Sequence, residues 1–157
     1  MDKEIIYTEE NKDVIVTRNH FNDVCFTSFS ELKEYLKIEK QLETLITINK
    51  NIDDPSFVCR LNDNLPTTLQ EAYDEVTGDG RWSTMHIYSS FSYKGDTFGR
   101  HKDTCDVLIV QSKGSMMYRF DNNRICILKP GDSLLIPVGI YHDPTVIEPR
   151  ITLSFSD

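Results

Sequence analysis

VLIVQSKGSMMYRFDNNRICILKPGDSLLI, Val107 to Ile136, is the stretch that decides the fold class. Its apolar, partly β-branched runs (107–111, 116–120, 124–128 and 133–136) are broken by Lys113-Gly114, Asp121-Asn-Asn123 and Pro130-Gly131-Asp132. Short runs bounded by Gly, Asn, Asp and Pro read as β-strands joined by tight turns. The pattern continues outward. Met85 to Ser92 reads as a strand ahead of this stretch. Pro137-Val-Gly139, a strand around His142, and a last strand from Arg150 to Ser156 follow it. About eight short strands in roughly 75 residues predict a mainly β sandwich or barrel, with the double-stranded β-helix, or jelly roll, as the expected core.

Before Gly80, helix and strand signals mix. Val14 to Thr17 and Leu45 to Asn49 read as strands, and Asn51 to Pro55 as a turn. Ser28 or Ser30 is placed to cap a helix through residue 41, with Leu32, Tyr35, Leu36 and Ile38 as its apolar face. A second helix is expected from Thr67 or Thr68, near its N-cap, to Val76, ended by Thr77-Gly-Asp-Gly80. The expected organisation is one compact domain. Residues 81–157 form the jelly-roll core, and residues 1–80 form an N-terminal α/β extension packed on it.

At 157 residues the chain is long enough to bury a core, and no run approaches the length of a membrane span. The opening MDKEIIYTEENKD is acidic and polar, unlike a secretory or transit leader. The net charge of -8 works against non-specific nucleic-acid binding, because phosphate neutralisation needs a basic surface. Cys25, Cys59, Cys105 and Cys126 are scattered without a CxxC pair, as expected of buried free thiols in a reducing compartment. A cytoplasmic protein is expected, with no membrane or nucleic-acid partner. Oligomeric state stays open.

His101, Asp103 and His142 are the candidate metal ligands. On a strand, side chains two apart share a face, so His101 and Asp103 can point into one cavity. A closed β fold can return His142 beside them. Two imidazoles and a carboxylate, with the opposite positions open, suit mononuclear non-heme Fe(II). Structural zinc usually closes its sphere with four ligands. The alternative is a surface turn at His101-Lys-Asp103 and an unrelated, half-buried His142. His20 and His86 have no partner at metal spacing, although His86 shares a strand face with Tyr88, Ser90 and Ser92 and is a candidate for the cavity wall.

Two separated blocks add to this. Residues 90–114, SFSYKGDTFGRHKDTCDVLIVQSKG, and residues 128–142, LKPGDSLLIPVGIYH, resemble the metal-binding core of the JmjC-like cupin oxygenases. The nearest subgroup is the ribosomal oxygenases, with the forms SFSxxGxxxGxHxDxxDVxxxQxxG and LxPGDxLxIPxGxxH. Thr152 to Ser156, TLSFS, is similar to their last barrel strand, so the resemblance covers residues 82 to 156. It implies Fe(II) on His101, Asp103 and His142 as the catalytic centre, with 2-oxoglutarate as a chelating co-substrate. The far carboxylate of 2-oxoglutarate then needs a cation and a hydroxyl, for which an Arg fork is well shaped. The resemblance places the hydroxyl at Ser92 and the cation at Met116, whose thioether cannot pair with a carboxylate. Arg150 is the expected replacement, at a position used by other oxygenases of the double-stranded β-helix class, with Thr152 sharing its face. Lys113 and Arg119 are alternatives. Gln111 has cavity parity, whereas Asp106 has the opposite parity and is expected to be structural.

The resemblance therefore implies an Fe(II)- and 2-oxoglutarate-dependent dioxygenase. It would consume O₂, release succinate and CO₂, and hydroxylate a C–H bond, with a protein side chain as the family's preferred substrate. Ribosomal oxygenases carry further helical and winged-helix domains that this sequence does not include, so their dimerisation and ribosomal substrate are not carried over. Two other functions fit the residues. One is a metal-binding cupin that does not use 2-oxoglutarate, favoured by Met116. The other is a catalytically inactive jelly-roll module that binds partners.

Overall fold

Alternation along the strands builds two packed layers on opposite faces of one sheet. The computed structural model describes residues 2–22, 28–43, 45–48, 54–60 and 65–157. Cys25 and most of the expected 51–55 turn lie outside the described residues. The strands are β1 (Lys3–Glu9), β2 (Lys12–Thr17), β3 (Ile46–Ile48), β4 (Ser56–Arg60), β5 (Thr84–Ser90), β6 (Val107–Lys113), β7 (Met116–Arg119), β8 (Ile125–Leu128), β9 (Ser133–Ile136), β10 (Asp143–Val146) and β11 (Arg150–Ser156). Among the described residues, two α-helices, α1 (Phe29–Gln41) and α2 (Thr67–Thr77), interrupt the first part of the chain.

Eight strands form one antiparallel sheet in the order β1-β2-β9-β6-β11-β5-β4-β3, and β10-β7-β8 form a second. The mainly β, jelly-roll character read from the sequence is what the chain folds into. In β6, Leu108 and Val110 join a core under the helices with Leu32, Tyr35, Leu69 and Val76. Its alternate residues Val107 and Ile109 join the core between the sheets with Met116, Tyr118, Leu128 and Ile136. Strand β11 sends Ile151, Leu153 and Phe155 to the helix side. Its other face, Arg150, Thr152 and Ser154, lines a cavity between the sheets.

Described strands of the first 80 residues join the large sheet. Strands β2 and β4 are hydrogen-bonded to β9 and β5, so the extension continues the large sheet at both ends. The sequence reading had no strand at β1 or β4. In β1 charged and apolar residues mix, and only Ile6 and Tyr7 are buried. In α1, Ser28 is the cap and accepts from the Glu31 N–H. The buried stripe is Leu32, Tyr35, Leu36 and Glu39, while Ile38 is exposed, because position 39 continues the i, i+3, i+4, i+7 face and 38 does not. Helix α2 starts after Pro66 without a side-chain cap, so neither Thr67 nor Thr68 serves as one. The 121–123 turn holds Asn122 and Asn123 at φ 61° and 59°, a left-handed conformation that Asn tolerates better than most residues.

Candidate metal centre

His101 and His142 lie outside the named strands, so the expected strands around them reduce to a single antiparallel bridge. The bridge is reciprocal: each backbone N–H donates to the other residue's carbonyl, at 2.9 and 2.8 Å. Gly99 turns the chain into His101 with φ 76°. The Gly139 N–H donates to the Asp103 carbonyl at 3.1 Å and ties the second loop to the first. Asp106 accepts from the Val138 N–H at 2.7 Å and pairs with Arg81 at 3.3 Å, so it braces the same loop from outside the cavity.

One donor atom from each of His101, Asp103 and His142 lies within 4.8 Å of the others. The tautomers suit a metal. A carbonyl only accepts, so His101 Nδ1–H donates to Gly99 O at 2.7 Å and His142 Nδ1–H donates to Ile140 O at 3.0 Å. Nε2 of each ring is then the ligating nitrogen, the arrangement metal-bound histidines adopt. His142 Nε2 is 3.4 Å from Asp103 Oδ2. Burial, aided by the neighbouring His101 ring, holds the His142 imidazole below its ordinary value, which keeps it neutral and able to ligate. The donor set therefore fits a divalent ion bound by three protein ligands with open positions.

The three donors line one cavity between the sheets. Arg150, Thr152, Tyr88 and Tyr118 line it as well. Arg150 is buried, and among the described residues it forms no ion pair. Burial pulls its guanidinium down to about 10, still a cation at neutral pH. Its Nε donates to Ser90 Oγ at 2.9 Å, and the guanidinium carbon sits 5.6 Å from the Tyr88 ring centre. Burial pushes the Tyr88 and Tyr118 hydroxyls up, so both stay protonated donors.

Other expected positions fall elsewhere. Strand β5 ends at Ser90, so Ser92 lies in the following turn, where its hydroxyl accepts from the Lys94 N–H, and it is not part of the cavity wall. Gln111 is buried but turned away from the cavity. It accepts from Thr152 Oγ1 at 2.9 Å and donates to the carbonyls of Lys113 and Gly114, closing the β6–β7 turn. Thr152 lines the cavity with its hydroxyl committed to Gln111. Met116 is wholly buried in the core between the sheets, and neither Lys113 nor Arg119 reaches the cavity. His86 is absent from the wall, and His20 bonds Ser133 remote from the triad. The sequence reading missed Tyr118, Thr97 and Phe98, which line the cavity, and Ser90 as the hydroxyl on Arg150. The parity of Ser90 with Tyr88 was the available signal.

No protein-family model matches the chain, and no curated protein does. Solved structures do. YcfD, a ribosomal oxygenase from Escherichia coli, superposes over 100% of this chain and 53% of its own, with TM-score 0.68 and 20% identity. The chain shares the fold of the ribosomal oxygenases. The same E. coli protein in complex with cobalt and 2-oxoglutarate matches 66% of this chain and 32% of its own, with TM-score 0.52 and 25% identity. Its complex with cobalt and succinic acid gives TM-score 0.51 and 26% identity over the same shares. The chain spans about half the length of the first of these structures. The likeness to the JmjC-like cupin oxygenases in sequence is thus a likeness in fold. No helix among the described residues is long and apolar enough to cross a membrane.

Proposed function

We propose that this chain is an Fe(II)- and 2-oxoglutarate-dependent dioxygenase that hydroxylates a protein side chain. One observation carries the proposal: a three-donor cluster and a buried guanidinium without an ion-pair partner among the described residues face the same cavity. Likeness to a ribosomal oxygenase that binds cobalt and 2-oxoglutarate supports it. His101 and His142 would hold the metal through Nε2, and Asp103 through its carboxylate. Bound Fe(II) supplies the redox chemistry that couples decarboxylation of 2-oxoglutarate, giving succinate and CO₂, to insertion of one O₂ oxygen into a substrate C–H bond. The protein's own part is orientation. The Gly99 and Ile140 carbonyls fix the imidazole tautomers. Arg150 would receive the far carboxylate of 2-oxoglutarate, beside the Tyr88 and Tyr118 hydroxyls. Thr152 shapes the wall, and Gln111 supports Thr152. The acidic composition and free thiols fit a cytoplasmic enzyme.

A second function, a metal-binding cupin that does not use 2-oxoglutarate, is favoured by the apolar burial of Met116. Succinate release by the protein with Fe(II) and 2-oxoglutarate separates the two. Thermal shifts with Mn(II), with and without 2-oxoglutarate, give the binding counterpart, because a ligand of the folded state raises the melting point. A 2-oxoglutarate increment above the Mn(II) shift, together with succinate release, is expected. A Mn(II) shift with neither would favour the second function.

A further inference from the structure

Ser56, Ser90 and Arg150 form a row that runs from β4 to the cavity wall. Ser56 on β4 and Ser90 on β5 are cross-strand partners, and Ser90 is the partner of Arg150 on β11. The Asp96 backbone N–H donates to Ser56 Oγ at 2.7 Å, Ser56 Oγ and Ser90 Oγ are 2.6 Å apart, and Arg150 Nε donates to Ser90 Oγ at 2.9 Å. Both serines are fully buried. Each hydroxyl oxygen accepts from an N–H, and one hydroxyl proton bridges the pair.

Two glycines clamp this row. A Cβ on Gly95 would stand 2.6 Å from Ser90 Cβ, 2.8 Å from Ser90 Oγ and 3.1 Å from Ser56 Oγ, so the 92–96 turn packs directly on the two hydroxyls. Gly95 is therefore required for closeness, whereas Gly99 is required for its backbone angle. A Cβ on Gly114 would meet the Pro149 carbonyl oxygen at 1.9 Å, so the β6–β7 turn presses on the backbone leading into Arg150. An arginine fixed at backbone and Nε has its freedom removed before any ligand arrives, and it offers its two Nη groups to a carboxylate.

We infer that Ser56, acting through Ser90, is a positioning residue for Arg150, so that strand β4 is part of the co-substrate site. This rests on the assignment of Arg150 to 2-oxoglutarate made above. The test uses the full chain loaded with Mn(II) and measures 2-oxoglutarate affinity by calorimetric titration. Ser56→Ala is expected to weaken 2-oxoglutarate by about tenfold, with Mn(II) affinity and kcat at saturating 2-oxoglutarate unchanged. Gly95→Ala pushes on the same pair from the other side and is expected to do likewise. In an Arg150→Met background, Ser56→Ala should add nothing further. Loss of Mn(II) affinity, an equal loss of 2-oxoglutarate affinity in both backgrounds, or wild-type affinity in Ser56→Ala each overturns the inference. If Arg150→Met binds 2-oxoglutarate as wild type does, the assignment of Arg150 fails and the inference with it. If Arg150→Met loses binding and Ser56→Ala keeps it, the inference alone fails. Should Ser56→Ala not fold, Gly95→Ala in both backgrounds decides by the same criteria.

Discussion

The two ends of the cavity are built differently. At the end of the candidate metal ligands, His101, Asp103 and His142 sit on irregular loops joined by one backbone bridge and the Gly139 N–H to Asp103 carbonyl bond, and each imidazole is tied to a carbonyl of its own loop. At the other end, Arg150 opens a strand that is paired on both sides, and its side chain is tied to β5 and, through Ser90, to β4. Loop donors can be exchanged with little cost to the fold. A buried cation without an ion-pair partner costs folding free energy, which a bound anion would offset. The candidate metal ligands are thus added to the scaffold on loops, and Arg150 is part of the scaffold.

The largest effect expected to test this contrast is Asp103→Ala. Metal content after loading and succinate release should both fall below detection. The melting point of the metal-free protein should stay unchanged, because the Asp103 side chain is 35% exposed. A large drop in that melting point would break the contrast. Next comes Arg150→Met, expected to weaken 2-oxoglutarate by about a hundredfold. Replacing a buried charge by an apolar chain of similar length should leave metal-free stability equal or higher. Clear destabilisation would show that the guanidinium holds the sheet together and is not reserved for a ligand.

A smaller effect is a pH dependence. Burial is the first cause holding His142 below its ordinary 6.5, and the His101 ring adds to it, against the upward pulls of the Ile140 carbonyl, Asp103 and Asp143. The unfolded chain then takes up the proton more readily. The His142 contribution to stability is therefore complete above pH 6.5 and is lost as pH falls through that value toward the lower folded one. His20, also lowered by burial, acts in the same direction. Melting points of metal-free protein across this window should decline with acid, less steeply in His142→Gln. An equal slope in the variant would remove His142 as a source. The smallest effect is Ser92→Ala. Because Ser92 lies outside the cavity wall, 2-oxoglutarate affinity should match wild type, and a tenfold loss would restore Ser92 to the site.

Much of the fold was legible because its signals are local. The strand runs between Val107 and Ile136 and the Asn and Pro-Gly turns came through with small boundary shifts, and so did the last strand, Arg150 to Ser156. Strands β1 and β4 were not legible: in β1 charged residues flank an unalternating Ile-Ile-Tyr run, and β4 is only five residues long. The three candidate metal ligands were legible by residue type and spacing. Ser92, placed by resemblance, falls two residues past the end of β5 and outside the cavity wall.

Arg150-Ile-Thr-Leu-Ser154 marks the boundary between the two kinds of information. Alternation alone assigns polar and apolar faces to that strand, and this the amino-acid order determined. An alternating strand with one face in water and one lining an internal cavity have the same sequence. Only tertiary packing, with the small sheet laid over the large one, decided that Arg150 and Thr152 are buried. Contacts such as Ser56 to Ser90 and His101 to His142 join residues far apart along the chain, and their distances are set by strand register, which no local pattern encodes.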